Sequence, residues 1–337
     1  MKLSKEKKQT IILYILDKIS AGSKSVSKEV SEAFGMSPNT VHTYLNELID
    51  DDIITKQKRG EYKLVTIQET YDFKRSQGEL SSDTIVYESC LDKKISHLSE
   101  NIKHIWAYAV SEMVNNVIDH STAENMQVII TQNYLRTGVI ISDNGVGIFE
   151  KIKNHFALAN LDEAICELFK GKLTTDKENH SGEGIFFTSK MMDTFLIASS
   201  GKVFATTKYN NEQVFDLNDS SSGTCVVMSL SNFTNRTAKE VFDSFSDTDG
   251  AFTTTKIPIK SIFDSAPISR SQAKRVCYRL DNFEEVIFDF DNVSWMGQGF
   301  AHQIFVVYQN AHPNVKLIPI NMNDSVASMY NHVVNSD

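Results

Sequence analysis

Apolar residues recur at helical spacing through the first fifty positions, which predicts three amphipathic helices. Ile12, Ile15, Leu16 and Ile19 occupy positions i, i+3, i+4 and i+7, so one helix is expected over residues 4–20. Capping residues predict where the next two begin and end. The expected boundary residues are Ser27 and Gly35 for the second helix (28–34), and Ser37 and Pro38 at the start of the third.

These helices are followed by the short run 53–55 and then by residues 56–65, which are predicted to form a hairpin with a basic tip. Helix-turn-helix spacing followed by such a hairpin resembles a winged helix, in which the third helix enters the major groove and the wing contacts phosphate or the minor groove. The alternative is a trihelical protein-interaction or dimerisation module. The acidic run Asp50–Asp52 would repel phosphate, so that end of the third helix should point away from DNA. The candidate DNA-binding residues are Asn39, Thr40, His42 and Thr43 on the third helix and Lys56, Lys58 and Arg59 in the wing.

A polar face runs along an otherwise apolar predicted helix at residues 111–120. Glu112, Asn116 and Asp119 recur at i, i+4 and i+7, so they share one side of that helix. About twenty-five residues on, a buried strand ends at Asp143 and a glycine turn. Carboxylate and amide groups are therefore expected at the ends of core elements.

Two further glycine-containing pieces follow. Residues 181–185 (Ser-Gly-Glu-Gly-Ile) open another predicted helix, and residues 222–224 (Ser-Gly-Thr) precede the strand 225–230. In this order, the four pieces resemble the N, G1, G2 and G3 boxes of the GHKL (Bergerat-fold) ATPases, a group that includes gyrases, MutL, histidine kinases and anti-sigma-factor kinases. The resemblance covers roughly residues 85–232.

This resemblance implies a GHKL α/β sandwich that binds ATP and Mg²⁺. Glu112 would act as general base on the attacking water, and Asn116 would be the protein ligand of Mg²⁺. Asp143 would accept a hydrogen bond from the adenine amine, and Thr224 would hold a bridging water. The remaining binding candidates are Asn115 and Asp119 around the metal ligand, Gly145 and Gly147 beside the adenine, and Gly182 and Gly184 at a helix N-terminus suited to phosphate.

Each of these candidates also has a plain structural interpretation. Glu112 could be a solvated helix residue, and Asp-Asn-Gly at 143–145 is a common turn sequence. The glycine pair could simply begin a helix, because it lacks a third glycine and Phe186 follows closely. In the family, residues 149–181 would form a mobile lid over the nucleotide. The residues placed where such a lid could reach phosphate are Gly171, Lys172, Thr174 and Thr175.

Two histidines precede the first box, in a stretch (87–108) expected to be helical. Histidine kinases carry a phospho-accepting histidine on a two-helix hairpin in this region. His97 and His104 lie there, but the chain has only one helix's worth of residues and a poorly matching context. A surface or packing role is therefore the default for both.

From residue 250, strands alternate with helices, which implies a sheet covered by helices. The segment 286–301 resembles the STAS-like domains found behind such ATPases. In anti-sigma-antagonist relatives, a serine just before the helix accepts phosphate. Gln298 falls at or beside that position and Ser294 lies earlier, so phosphorylation of this domain is not expected. A protein partner is a candidate ligand for it.

The predicted fold is therefore multidomain α+β. The expected divisions are a winged helix-turn-helix DNA-binding domain (1–66), a linker (67–84), a GHKL ATPase domain (85–235), a second linker (236–249) and a small STAS-like α/β domain (250–337).

Charge and cysteine usage indicate where nucleic acid would bind and in which compartment the protein is expected. The net charge is −9, yet residues 1–66 hold eleven basic against nine acidic residues, so nucleic-acid contact is expected at the N-terminal end. No stretch approaches the roughly 18 apolar residues of a membrane helix, and the N-terminus has no apolar signal core. The four cysteines form no CxxC, which predicts reduced thiols in a cytoplasmic protein.

Three functions compete at this point. The first is a DNA-binding transcriptional regulator that binds ATP, hydrolyses it slowly and is switched by nucleotide state. The second is a serine protein kinase resembling anti-sigma-factor kinases, in a partner-switching system. The third is an interaction scaffold whose ATP site is only structural. A homodimer is expected under the first, because winged-helix regulators commonly read two-fold sites.

Overall fold

The computed structural model describes residues 4–58, 60–173, 182–207, 213–217, 222–263 and 266–335. The chain forms two compact units. One holds residues 1–70 with 129–139 and 229–234, and the other holds 71–128, 140–228 and 235–337.

The N-terminal domain is the predicted winged helix. Ser4 and Ser37 cap the first and third helices, accepting hydrogen bonds from the backbone N–H groups of Lys7 and Thr40. The second helix begins two residues earlier than expected: its N-cap is Ser25, and the predicted cap, Ser27, lies inside it. The elements of the N-terminal domain are α1 (Lys5–Ser20), α2 (Val26–Phe34), α3 (Pro38–Asp50), β1 (Ile54–Lys58) and β2 (Glu61–Leu64). Strands β1 and β2 are antiparallel.

Apolar side chains from all three helices form the core of this unit. Ile11, Ile15, Leu16, Val41 and Leu45 are fully buried there. The hairpin turn at residues 133–135 belongs to the same unit: Tyr134 and Leu135 pack on this core, and Gln9 Nε2 donates a hydrogen bond of 3.2 Å to the Tyr134 hydroxyl.

The central region is built on a seven-stranded sheet in the order β3-β4-β5-β9-β6-β7-β8. Helix α6 packs against α4 and α9. The bounds are β3 (Ile67–Lys74), α4 (Asp83–Tyr87), α5 (Lys93–Ile95), α6 (Glu100–Asn115), β4 (Asn125–Gln132), β5 (Arg136–Asp143), α7 (Ile148–His155), α8 (Leu161–Lys170), α9 (Gly184–Met191), β6 (Thr194–Ser199), β7 (Lys202–Thr207), β8 (Gln213–Asp216), β9 (Thr224–Ser231) and α10 (Ala238–Asp243).

Two segments expected to be linkers contain regular structure. Residues 67–74 form β3, an edge strand whose sequence signal is weak, because Glu69 interrupts the apolar alternation and leaves only Tyr71 and Phe73 at period two. The second predicted linker contains α10, which begins at a complete capping box. The expected continuous helix over 87–108 is also interrupted, at residues 96–99. His97 lies in this break and His104 on α6, and both are exposed.

The C-terminal domain has a three-stranded sheet, β10-β11-β12, whose strands are all parallel. Helices lie between the strands along the chain, as predicted for a small α/β domain. Its elements are β10 (Thr254–Pro258), α11 (Ile259–Ile262), α12 (Arg270–Cys277), β11 (Glu285–Asp289), α13 (Gln298–His302), α14 (Gln309–Ala311), β12 (Lys316–Ile320) and α15 (Asp324–Val334). Across the described ranges, none of the helices combines the length and the apolar character needed to cross a bilayer.

Candidate functional site

The helix that carries the polar face changes its winding within that face. Helix α6 ends at Asn115, and residues Asn116–Ser121 continue as a single π-helical segment. Glu112 and Asn116 remain one turn apart, whereas Asp119 is exposed and Asn115 is half-buried. Single π turns inside α-helices are frequent at functional sites. No sequence signal used above distinguishes such a turn from ordinary helix.

A single arginine holds the end of this π-helical segment in place. Arg75 Nη2 donates hydrogen bonds to the carbonyls of Val117 (3.1 Å) and Ile118 (3.0 Å), and its Nε donates to Ala123 O (2.8 Å). These carbonyls lie at a helix C-terminus, where a cation is favourable. Sequence reasoning missed Arg75 because its partners lie more than forty positions away along the chain.

Asp143 ends β5 with its carboxylate turned back onto the following backbone. Its Oδ1 accepts a hydrogen bond of 2.7 Å from Gly145 N. Burial raises the pKa of the Asp143 carboxyl, against the opposing effect of hydrogen bonds from the Gly145 and Thr224 backbone N–H groups. The Thr224 hydroxyl, at the start of the neighbouring β9, accepts a 3.0 Å hydrogen bond from Ile148 N. The two predicted adenine-contacting residues therefore meet at adjacent strand ends.

The turn after Asp143 lies directly on the π-helical segment. Val146 N donates to the Ser121 carbonyl at 3.0 Å, and a Cβ built on Gly145 would overlap that same carbonyl oxygen. Only glycine fits this contact, because the obstructing atom is backbone. Gly145 thus joins the two elements that carry Asn116 and Asp143.

These elements line a cavity that is partly open to solvent. Four predicted site residues line it: Asn116, Asp143, Gly147 and Thr224. Lys151 also lines it, and its ammonium donates a 2.8 Å hydrogen bond to the His120 carbonyl. The other lining residues, mostly apolar, are Met113, Val117, His120, Ser121, Ile141, Val146, Ile148, Ile185, Ile197 and Val226. A mostly apolar cavity with a few convergent polar groups is typical of a small-molecule site.

Glu112 lies against Gly184, the second glycine of the pair at 182 and 184, beside this cavity. Gly184 is the first residue of α9, and a Cβ built on it would overlap Glu112 Oε2. Burial, together with the negative charges of Glu112 and Glu183, raises the pKa of Tyr108. Gly182 accepts a 3.0 Å hydrogen bond from the backbone N–H of Leu173. The general-base candidate therefore lies at the N-terminus of the helix predicted to receive phosphate.

The predicted lid residues are placed differently. The Lys172 ammonium donates to Asn282 O at 2.8 Å and lies 4.9 Å from the Phe283 ring centroid, so it faces the C-terminal domain and not the cavity. The prediction that Lys172 reaches phosphate is therefore not supported by its position. Thr174 and Thr175 lie outside the described residues.

The candidate DNA-binding residues are displayed at the surface of the N-terminal domain. Asn39, Thr40, His42 and Thr43 are exposed on α3, opposite its buried side. Lys56 and Lys58 are exposed on β1. Arg59 lies outside the described residues.

In the C-terminal domain, Gln298 is the first residue of α13, and both Gln298 and Ser294 are exposed. All four cysteines, Cys90, Cys166, Cys225 and Cys277, are free thiols. Burial raises the pKa of each, which keeps the thiols protonated near neutral pH.

Comparison with known protein families gives three matches in chain order. Residues 13–55 match a winged helix-turn-helix DNA-binding family, and residues 103–232 match the histidine kinase-, DNA gyrase B- and HSP90-like ATPase family. Residues 272–327 match a STAS-like domain of unknown function. No curated protein matches the chain. In chain order, the protein therefore carries a winged helix-turn-helix domain, a domain similar to the histidine kinase-, DNA gyrase B- and HSP90-like ATPases, and a STAS-like domain.

Proposed function

We propose that this protein binds ATP with Mg²⁺ and acts as a DNA-binding transcriptional regulator, in which nucleotide state controls the winged-helix and STAS-like modules. One observation carries the proposal: a single cavity collects Asn116, Asp143 and Thr224 from three elements that are far apart in sequence. Each has the chemistry that the corresponding part of ATP requires. The family match over 103–232 supports the same ligand.

Adenine would occupy the apolar part of the cavity. Ile141, Ile197 and Val226 supply walls suited to a flat heterocycle. The ionised Asp143 carboxylate would accept a hydrogen bond from the exocyclic amine, which fixes the orientation of the base. Thr224 would hold the water that bridges carboxylate and ring.

The phosphates would extend towards the N-terminus of α9. The backbone N–H groups of the first turn of α9 would provide the positive end of a helix dipole there, and the Lys151 ammonium adds a positive charge to the lining of the same cavity. The Asn116 amide would supply the side-chain oxygen that holds Mg²⁺, an ion that prefers oxygen ligands and keeps several waters. Bound Mg²⁺ would neutralise part of the triphosphate charge. Glu112 would take a proton from the attacking water, with slow hydrolysis resetting the switch.

DNA would bind through the N-terminal domain. The exposed residues of α3 are suited to base edges in the major groove, and Lys56 and Lys58 of the wing are suited to phosphate. A homodimer would present two such surfaces to a two-fold site. Replacing His42 by Ala should relax base preference, whereas Lys56→Ala should lower the salt dependence of binding by a slope of about 1. Selection of bound DNA from a random pool by the full chain, with and without ATP and Mg²⁺, tests this part of the proposal.

Glu112→Ala tests the nucleotide chemistry. Phosphate release should stop in this variant while ATP still binds, because the Glu112 carboxylate would act on the attacking water and not on adenine. Incubation with γ-labelled ATP separates the alternatives. Free labelled phosphate supports hydrolysis, whereas label retained on protein would favour the serine-kinase function and contradict the proposed one. Binding without release or transfer would leave the scaffold function.

A further inference from the structure

The C-terminal domain and helix α8 share a buried ionic cluster. The Lys170 side chain is 1% exposed, and its ammonium pairs with Glu167 Oε1 at 2.5 Å. The same ammonium donates to two carbonyls of the C-terminal domain, Tyr278 O at 2.6 Å and Arg275 O at 3.4 Å. Both carbonyls lie at the C-terminal end of α12, where helices leave acceptors unsatisfied. Lys170 therefore caps a helix of the neighbouring domain.

The C-terminal domain caps α8 in return. The Thr255 hydroxyl, on β10, donates to Lys170 O at 2.7 Å in a buried position. Arg279 Nη2 donates to Lys172 O at 2.9 Å, and its Nη1 lies 3.4 Å from Glu167 Oε2. Each domain thus satisfies polar groups that the other leaves open. Buried charges are costly unless they are paired. These reciprocal contacts therefore favour a docked C-terminal domain over one that is only tethered to the ATPase domain.

An aromatic contact extends this junction to the helix that begins at the phosphate-binding end. The Phe252 ring lies 4.7 Å from Phe186 and 4.9 Å from Phe187, both on α9, and 5.4 Å from Phe283 of the C-terminal domain. It also fills the space beside Gly171, where a Cβ would come within 2.7 Å of Cε1 of the ring. Phe252 therefore lies between Gly171, which directly follows α8, and helix α9, whose first residue, Gly184, lies against Glu112.

We propose that the STAS-like domain acts as a resident effector of the ATP site, with the ATPase domain of its own chain as its partner. Its docking face consists of Phe252, Thr255, Arg279 and the carbonyls of Arg275 and Tyr278. This face sets the positions of α8 and α9, and through α9 it sets the relation of Glu112 to the phosphates. The inference rests on the ATP site proposed above and assigns the C-terminal domain a role in phosphate handling but none in adenine recognition.

Full-length variants at the docking face test this inference. Glu167→Gln with Lys170→Met removes both charges of the buried ion pair together, and Arg279 keeps its hydrogen bond to Lys172 O while losing the Glu167 carboxylate. The matched control is Glu285→Gln with Lys316→Met, because that pair (2.7 Å) lies wholly within the C-terminal domain. Phe252→Leu and Thr255→Val provide conservative second variants in case the double variant does not fold.

Relative to the control, docking-face variants should hydrolyse ATP about tenfold more slowly or worse, since small misplacements of catalytic groups are costly. Their preference for ATP over ADP should fall about fivefold, with ADP affinity nearly unchanged. In the ligand-free protein, amides of residues 184–191 should exchange hydrogen faster than in the control. Unchanged exchange and unchanged nucleotide preference in folded variants would overturn the inference. If the unmodified protein bound no ATP, the proposed function would fail instead, and the exchange experiment would still decide whether the docking face positions α9.

Discussion

The two ends of the candidate ATP site are built in different ways. The candidate adenine end lies at two adjacent strand termini, where the Asp143 carboxylate accepts a hydrogen bond from Gly145 N and the Thr224 hydroxyl accepts one from Ile148 N. The phosphate end depends on a helix N-terminus, that of α9, which packs against Phe252 and so against the C-terminal domain. Under the proposed function, base recognition would be local to the sheet, whereas phosphate handling would be shared between domains and open to regulation.

The largest effect is expected from the general-base candidate at the phosphate end. Glu112→Gln should lower the hydrolysis rate by about 10²–10⁴-fold, the usual contribution of general-base catalysis, with ATP affinity nearly unchanged. Single-turnover hydrolysis and equilibrium binding measure the two quantities. Glu100→Gln, at an exposed position of the same helix, is the matched control and should alter neither. Equal losses in binding and hydrolysis would contradict the proposal that Glu112 acts on the phosphates and not in ATP binding.

At the adenine end, Asp143→Asn should weaken ATP binding by about 10–100-fold, because a hydrogen bond to a charged group contributes about 1.5–3 kcal/mol. The same change should raise the thermal stability of the ligand-free protein at neutral pH. Burial raises the pKa of this carboxyl, so the wild-type protein gains stability as pH falls from the folded-state pKa towards the unfolded-state value.

Asparagine cannot ionise, so the variant should lack this pH dependence. Thermal unfolding across a pH series, with and without ATP, checks both halves of the prediction. A variant that loses stability at neutral pH and keeps its ATP affinity would contradict the assignment of Asp143.

Two glycine-to-alanine changes compare the ends directly. The Gly145→Ala methyl meets the Ser121 backbone carbonyl, which cannot move cheaply, so unfolding should become easier by about 1–3 kcal/mol. The Gly184→Ala methyl meets only the tip of the Glu112 side chain, which can turn away. Gly184→Ala should therefore keep the wild-type stability and lose hydrolysis. Denaturant unfolding and turnover of both variants measure the contrast, and a reversed order would refute it.

The smallest effect on ATP binding is expected from a change at Arg75, which supports the π-helical segment. Arg75→Met removes three hydrogen bonds to carbonyls around the π-helical segment, which should cost about 2 kcal/mol of stability and weaken ATP binding only slightly. Denaturant unfolding measures the loss. Arg136→Met, at an exposed position of β5, serves as the control. An Arg75 variant as stable as this control would show that the segment needs no such support.

The sequence predicted the placement of Asp143 better than the placement of Lys172, for a physical reason. Strand β5 and its terminal Asp143 follow from an apolar run that ends in a turn signal, because both are local in sequence. Lys172 was misassigned because its partner, Asn282 O, is a backbone carbonyl that no side-chain pattern marks. The strand at 67–74 was taken for a linker because its exposed edge carries charged residues among the apolar ones.

Long-range contacts account for the rest of what the sequence did not reveal. Arg75 and Lys170 look like ordinary surface cations in sequence, yet one supports the π-helical segment and the other is 1% exposed between two domains. The π-helical winding that begins at Asn116 likewise has no signal in the local sequence. Domain identity was predictable from motif order, whereas the coupling between domains was not.

Calorimetric titration of the folded full-length protein with ATP, in the presence of Mg²⁺, tests the central claim most directly. The account predicts saturable heat at one site per chain, with the affinity reduced in Asp143→Asn. Absence of saturable heat with ATP, ADP and a non-hydrolysable analogue would contradict it.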